Sequence, residues 1–354
     1  MVDAARTRLR RLNERMLPAP FALQELIAGA WLSQAIHAAA ELGIADALSE
    51  GPLTAGEIAE KVGADPDATG RLLRLLSSRA IFTHRQDGRY DLSSMGAALR
   101  SDIPNSMRAF AQFVGHPAHR EHWSLLAEAV RTGDMSLPAL RGMDFWEYLD
   151  TNQGLADAFN GAMTSLSEAT NAPVLAAYDF SGFGTIVDVG GGHGRFLAGI
   201  LGQAAESRGI LFDLASVADG ASDLLRAEGV AGRCTIETGS FFDSVPAGGD
   251  AYVMRAIIHD WEESKALQIL RNIHAAMKPT ATLLLVELVL PDDDSPHPGK
   301  LIDLEMLANI GGRERTAAEY RELLERAGFR MTRVVPTASP ASVVEARREH
   351  QSTR

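Results

Sequence analysis

The stretch IVDVGGGHGRFL, residues 186–197, constrains the fold more than any other part of the chain. A β-branched run ends in glycines at 190, 191, 192 and 194, then passes into GRFLAGILGQA, whose apolar residues recur at helical spacing. Glycine reaches left-handed conformations and presents no Cβ, so such a turn lets the backbone close tightly against a ligand. A strand–turn–helix of this kind needs parallel strands around it, and the residues after 182 supply them. TIVDVG, GILFDL, RCTIETGSFF, a strand within GGDAYVMRAIIHDW, and ATLLLVELVLP alternate with the helices GRFLAGILGQA, DGASDLLRAEGV and SKALQILRNIHAAM. A helix, RERTAAEYRELLERAGF, and a terminal strand pair, RMTRVVPT and SPASVVEAR, complete the pattern. The rhythm predicts an α/β fold over 181–354, a doubly wound, mainly parallel Rossmann-like sheet.

The residues before it follow another rhythm. LTAGEIAEKV carries a T-x-x-E capping box at Thr54 and Glu57. Asp65-Pro66 opens DPDATGRLLRLLSSRAIF, with Leu72, Leu73, Leu75 and Leu76 as its core face, and FTHRQDGRYDLS reads as a hairpin about Asp87-Gly88. Three helices and a hairpin make a winged-helix order, so residues 1–102 form an N-terminal all-α/winged-helix domain. Residues 103–180 form a helical, aromatic-bearing linker, with a hinge near 177–184. The long apolar helices exceed what a small winged helix can cover, which points to dimerisation with a second copy. Arg71, Arg74 and Arg79 on the third helix raise the question of DNA. Asp65 and Asp67 share that helix, and a net charge of -12 disfavours a phosphate-rich partner, so no nucleic acid is expected.

Phe21–Leu48 is the longest apolar segment, yet Gln24, Glu25, Gln34, His37, Glu41 and Asp46 make it too polar for a membrane. No apolar stretch of signal-peptide type follows the N-terminal arginines. The single cysteine, Cys234, reads as a small packed side chain in a reducing compartment, and the protein is expected in the cytoplasm. His116, His119 and His122 stand at three-residue spacing without a carboxylate at metal-ligand spacing. They read as a partly exposed helix face, and no metal is expected.

In doubly wound sheets the ligand sits beyond the carboxyl ends of the strands, at the switch point. Asp213 ends the second strand about twenty residues after the glycines, where a carboxylate accepts from ribose hydroxyls. The glycine spacing is G-x-G-x-G rather than the dinucleotide G-x-G-x-x-G, and Asp188 shortly precedes it. A carboxylate there suits a cationic amino group better than a pyrophosphate. With Asp213 and the GSFF segment, the loop points to S-adenosyl-L-methionine.

On VDVGGGHG, LFDL, GSFFDSVPAGGDAY, RAIIHDW, VELVLP and GGRERT, the chain resembles the S-adenosylmethionine-dependent O-methyltransferases acting on phenols and related hydroxylated rings. These include plant caffeate-type enzymes, acetylserotonin methyltransferase and bacterial polyketide and phenazine tailoring enzymes, and the likeness spans nearly the whole chain. The resemblance implies a methyltransferase sheet with an N-terminal dimerisation domain. It implies Gly190 and Gly192 along the cofactor, Asp213 on its ribose, and Ser240 and Phe241 at its adenine. Arg255 would sit nearby, and Ser167 in FNGAMTSLSEAT would meet the methionine end. Phe159, Met163, Asp260 and Met306 would face a small aromatic, hydroxylated acceptor, with His116, Trp123 and Met254 as further apolar or aromatic wall. Two departures stand out: Ser240 where the family usually has Asp, and Ala215 where it usually has Pro. Both bear on cofactor affinity.

His259 follows the fourth strand, at the ligand edge of the sheet. A phenol has a pKa of about 10, so removing its proton during attack makes a far better nucleophile, and histidine suits that task. The resemblance places Glu287 and Glu314 on either side of the ring. Glu287 stands in an apolar strand, where an ionisable group is costly unless paired. Asp260 reads equally as a cap of the next helix or as an acceptor contact. The expected activity is O-methylation with His259 as base. The alternatives are N-methylation, decarboxylation or hydroxylation on the same cofactor fold, or a ligand-sensing winged-helix regulator.

Overall fold

The structure, a computed structural model, describes residues 9, 12 and 16–349. The arginine-bearing start of the chain lies mostly outside them. The chain forms two compact units, one of residues 1–127 and 140–169, the other of residues 128–139 and 170–354. The stretch 103–180 is thus divided between them, and the last passage from one unit to the other falls inside a helix, at 169/170, rather than at 177–184.

In the first unit, α1 (Ala19–Glu41) and the short α2 (Ile44–Ala47) precede α3 (Ala55–Val62) and α4 (Pro66–Ser78). The Thr54–Glu57 capping box opens α3, and Gly63, at φ 68°, ends it. Asp65 caps α4 by accepting from the Ala68 N–H at 2.8 Å. Strands β1 (Phe82–His84) and β2 (Tyr90–Leu92) pair antiparallel about Gly88. Ile44, Leu48, Ile58, Leu73, Leu76 and Phe82 form the core. Leu75 is 40% exposed, which corrects the four-leucine core face. It stands about 200° around the helix from Leu73, on the opposite side. Farther on come α5 (Arg108–Gly115), α6 (Pro117–Trp123), α7 (Phe145–Thr151) and α8 (Gln153–Ala177), the last running on into the second unit.

His119 and His122 on α6 are buried, not part of an exposed face. The His119 Nδ1 lies 3.2 Å from the Val114 carbonyl, and the His122 ring packs edge-on to Tyr148 at 5.5 Å. On α1, Phe21, Leu23, Leu26, Ile27 and Trp31 are exposed, Trp31 by 75%. Among the described residues no helix is long and apolar enough to cross a membrane.

The second unit is built on a seven-stranded sheet. Its strands are β3 (Thr185–Val189), β4 (Arg208–Asp213), β5 (Cys234–Thr238), β6 (Ala251–Arg255), β7 (Thr282–Glu287), β10 (Phe329–Pro336) and β11 (Ser342–Arg348). The order is β10-β11-β7-β6-β3-β4-β5, all parallel but β11. Helices α9 (Arg195–Gln203), α10 (Ala221–Ala227), α11 (Glu263–Ala276), α12 (Gly299–Glu305) and α13 (Ala317–Arg326) connect them. Successive residues of a strand point to opposite faces. Val187, Val189, Tyr252, Met254, Leu283 and Leu285 therefore join Ile269, Leu270 and Leu323 in one core layer. Ile186, Val253, Leu284 and Val286 join Leu197, Ile200 and Leu225 in the other. All six positions of β7 are buried, as a strand covered on both sides requires, each aliphatic side chain contributing about 1.5–3 kcal/mol.

Three boundaries differ from the sequence reading. ATLLLVELVLP is two strands, because β8 (Val289–Leu290) leaves the main sheet and pairs with β9 (Arg315–Thr316). The helix read from Arg313 starts at Ala317, since Thr316 and Glu319 form a capping box. RCTIETGSFF leaves the sheet after Thr238.

Candidate active site

From β3 the chain builds outward through β4 and β5, then returns to the other side of β3 with β6 and β7. The switch point lies at the carboxyl ends of β3 and β6. The glycine loop follows β3, Asp213 ends β4, Ser240 and Phe241 follow β5, Arg255 ends β6 with His259 four residues on, and Glu287 ends β7. Glu314 arrives just before β9, which pairs with β8.

The loop is held by N–H groups of Gly190 and Gly191 donating to the Phe212 carbonyl at 2.8 and 3.4 Å. Gly190, Gly192 and Gly194 take φ of 73°, 59° and 81°, conformations open to glycine and strained for other residues. A Cβ at Gly190 would lie 2.8 Å from Ile257 Cδ1 and 3.6 Å from the Phe241 ring. Gly191 is equally constrained, by Leu211 and by the Asp188 carboxylate. Asp213 accepts from the Gly192 N–H at 2.8 Å and from the Leu214 N–H at 2.7 Å.

Asp188 does not open onto the crevice. It is buried beneath Gly191, and its Oδ2 has no hydrogen-bond partner among the described residues. Burial pushes its pKa up to about 7, against the pull of Arg255. Arg255 lies over the Phe196 ring at 5.4 Å and donates to the Thr170 hydroxyl. Ser240 accepts from the Phe242 N–H at 3.2 Å and its carbonyl accepts from Asp243 and Ser244, so it first of all shapes the turn after β5. Left-handed glycines, a carboxylate tied to a loop N–H and an unpartnered buried carboxylate oxygen suit a ligand with a ribose at one end and a cation at the other.

The second cluster surrounds His259. Its Nδ1 donates to Glu314 Oε1 at 2.7 Å, and its Nε2 lies 3.3 Å from Asp260 Oδ1. Glu314 is 1% exposed, far from a solvent-facing residue among charges. Glu287, also buried, accepts from the N–H groups of Ile257 and Ile258 at 3.2 and 2.9 Å. Glu287 therefore grips the backbone that carries the ring, and Glu314 holds the ring. Asp260 does not cap the next helix, whose N-cap position is Glu262. Burial opposes charge on His259, but Asp260, Glu287 and Glu314 outweigh it and push its pKa up to about 10. Burial lifts Asp260 to about 6 and Glu287 to about 7. The unliganded ring thus carries its proton at neutral pH.

The residues assigned to the acceptor fall in both units. In the first, Phe159 is nearly buried, stacked edge-on against Phe113, Phe145 and Trp146 at 5.4, 5.1 and 6.0 Å, while Met163 and Ser167 are half-buried on α8. In the second, Met306 begins a π-helical turn, Met306–Ile310, of a kind that often marks functional sites. Met254 is a core residue of the sheet, fully buried, and not a pocket wall. Cys234 is half-buried with its thiol pKa pushed up to about 11, as a packed side chain requires.

The comparisons decide what this edge belongs to. An O-methyltransferase domain model matches residues 123–330, and an O-methyltransferase dimerisation domain model matches residues 24–102. The chain belongs to the O-methyltransferase family. Among relatives of this methyltransferase, a phenazine O-methyltransferase from Lysobacter antibioticus is 39% identical, covering 94% of this chain and 97% of its own. An 8-amino-8-demethylriboflavin N,N-dimethyltransferase from Streptomyces davaonensis is 34% identical over 88% of this chain and 90% of its own. The crystal structure of an O-methyltransferase from neocarzinostatin biosynthesis, with S-adenosylmethionine and 2-hydroxy-5-methyl naphthoic acid, superposes with a TM-score of 0.76. It is 34% identical and covers 90% of this chain and 96% of its own. The methyltransferase is an S-adenosylmethionine-dependent enzyme with a homodimerisation domain, and its family needs no metal. His259, Glu287 and Glu314 place one ligand atom each within 4.8 Å of one another, and the His259 Nδ1 is hydrogen-bonded to Glu314.

Several residues that build the candidate site escaped the sequence reading. Gly312 is one: a Cβ there would lie 1.8 Å from the His259 carbonyl, which accepts from the Arg313 N–H at 2.8 Å. Asp303 accepts from the Glu314 N–H at 2.9 Å. Ala256, a non-glycine residue at φ 50°, turns the chain between β6 and His259, the kind of local strain that gathers at functional sites. The glycine pair in GGRERT was the one available signal.

Proposed function

We propose that this methyltransferase transfers a methyl group to a hydroxyl of a small aromatic metabolite, with His259 as the base. The observation that carries the reading is the His259 ring held at Nδ1 by buried Glu314, leaving Nε2 toward Asp260. The bound cofactor supplies an electrophilic methyl group on a sulfonium. Gly190 and Gly192 carry its backbone, Asp213 accepts from its ribose, and Ser240 and Phe241 border its adenine. Asp188, from beneath the loop, adds negative potential near its amino group, with Arg255 close by and Ser167 toward the methionine end. Phe159, Met163, Asp260 and Met306 are the candidate acceptor contacts, and an acceptor oxygen in line with the methyl group is where positioning lowers the barrier most.

The acceptor proton passes to His259 Nε2. Glu314 fixes the tautomer, and three carboxylates stabilise the imidazolium. An imidazolium pKa of about 10 matches a phenol pKa of about 10, so the proton is shared at little cost. The ring must first lose the proton it holds when unliganded, so turnover rises with pH through the neutral range.

Incubating the protein with S-adenosylmethionine and a panel of phenols and hydroxynaphthoates should release S-adenosylhomocysteine and a product heavier by one methylene. His259→Ala should lower kcat about 10²- to 10⁴-fold and leave S-adenosylhomocysteine binding unchanged. Full turnover in that variant would sink the base assignment. The dimethyltransferase relative favours one second reading, an aryl amine as acceptor. An amine gives up its proton only as the bond forms, so its rate would respond far less to His259→Ala.

A further inference from the structure

Behind the His259 cluster lies a second set of buried polar groups that the reaction scheme does not use. Arg315, the residue after Glu314, is 2% exposed. Its Nη1 donates to the carbonyls of Arg313 at 3.2 Å and Ile258 at 3.4 Å, reaching across to the turn that carries His259. Its Nη2 has no hydrogen-bond partner among the described residues. Tyr320 on α13 is fully buried, with its hydroxyl beside Arg315 but without a well-formed hydrogen bond. That hydroxyl stands in the field of Glu287 and Glu314, whose Oε2 atoms are likewise unpartnered among the described residues. Two carboxylate oxygens, a guanidinium nitrogen and a phenol hydroxyl are thus all buried without a hydrogen-bond partner among the described residues.

A buried arginine without a direct carboxylate partner costs several kcal/mol unless surrounding charge offsets it. Here the offset is the cluster itself. Arg315 adds a positive charge beside the carboxyl groups of Glu287 and Glu314, and without it His259, Asp260 and Glu287 would hold their protons to higher pH.

We propose that Arg315 is a positioning residue for proton removal, acting through Glu314 and the Ile258–His259 turn, with Tyr320 as its support. It holds the GGRERT loop against the turn, and its positive charge lowers the pH at which the cluster gives up a proton. This rests on His259 as the base.

The test is the pH profile of kcat/KM for the wild type, Arg315→Met, Arg315→Lys and Tyr320→Phe, with S-adenosylhomocysteine binding as the check on folding. Arg315→Met keeps bulk and removes charge. Its acid limb should move up by about one pH unit and its kcat should fall about tenfold, while cofactor affinity holds. Arg315→Lys should return the limb to the wild-type position. Tyr320→Phe, which loses one hydroxyl and keeps its ring, should move the limb in the same direction by less, and decides the matter if Arg315→Met does not fold. An unmoved limb in Arg315→Met or Tyr320→Phe overturns the proposal, as does a limb in Arg315→Lys displaced as far as in Arg315→Met. The two readings fail separately: active His259→Ala defeats the base, whereas inactive His259→Ala with an unmoved Arg315→Met limb defeats only Arg315.

Discussion

Two stretches of the same sheet edge are built by different means. At the β3–β4–β5 side, the candidate cofactor cradle consists of backbone: three left-handed glycines, their N–H groups, and one carboxylate that locks onto the loop. At the β6–β7 side, the cluster consists of side chains contributed by segments up to 55 residues apart, from His259 to Glu314. A backbone cradle depends on residues that take up no space, and a charge cluster depends on residues that compensate one another. Substitutions should therefore act on binding at one side and on chemistry at the other.

The largest separation should come from Gly312→Ala. The added Cβ meets the His259 carbonyl at 1.8 Å, so the GGRERT loop must back away and take Glu314 off the imidazole. A displacement of about 1 Å there is enough to lower kcat about a hundredfold. S-adenosylhomocysteine affinity, measured by calorimetry, should stay within about twofold. Equal losses in both quantities would show that the two sides are one mechanical unit.

Gly190→Ala is the converse and smaller. Its Cβ meets the end of the Ile257 side chain, which can yield, but φ of 73° still carries about 1–2 kcal/mol of strain. Cofactor binding should weaken about tenfold, read directly as a Kd, with kcat at saturation reduced only slightly.

That contrast also explains what was legible in the sequence. The sheet could be read because its strands and helices carry local periodicity, and the glycine loop because its spacing falls within five residues. The edge position of His259 was readable from its place after β6. What escaped was assembled at long range. Gly312 matters only because β9 pairs with β8, and Asp303 only because α12 ends beside the GGRERT loop. Glu287 looked from its apolar strand like a partner for the ring. Its oxygen instead accepts from two backbone N–H groups 30 and 29 residues earlier in the chain, a role no side-chain pattern announces. Asp188 was legible as a carboxylate beside the glycines, but its burial beneath Gly191 was not.

The two sides should agree in one property, the response of stability to pH. Asp188, Asp260 and Glu287, and His259 with them, all have native pKa values above their ordinary ones: about 7, 6, 7 and 10. At these four positions the folded chain therefore binds more protons than the unfolded one across this range. The stability these groups supply is complete at low pH, is lost from the carboxyls as pH rises through about 6 to 7, and from His259 as it rises through about 10. The Tm of the unliganded protein should fall by a few degrees between pH 6 and 9, while turnover climbs. Adding S-adenosylhomocysteine should flatten the fall if Asp188 contributes, because a cation above the loop restores its low pKa. A Tm that rises over the same interval would mean that the cluster is not buried as described.

The smallest effect is the sharpest probe of the cradle. Ser240 shapes its own turn, accepting from the Phe242 N–H at 3.2 Å, and a carboxylate at the same position can make that bond as well. Ser240→Asp should thus preserve the turn and add an ionised acceptor at the position proposed to border the adenine. Hydrogen bonds to charged groups contribute about 1.5–3 kcal/mol when fully formed, but this site is half-exposed, so a gain of about three- to tenfold in cofactor affinity is the reasonable size. kcat should not change, because the carboxylate stands on the β5 side, away from His259. A change in kcat with unchanged affinity would place Ser240 in the proton cluster's territory and undo the division between the two sides.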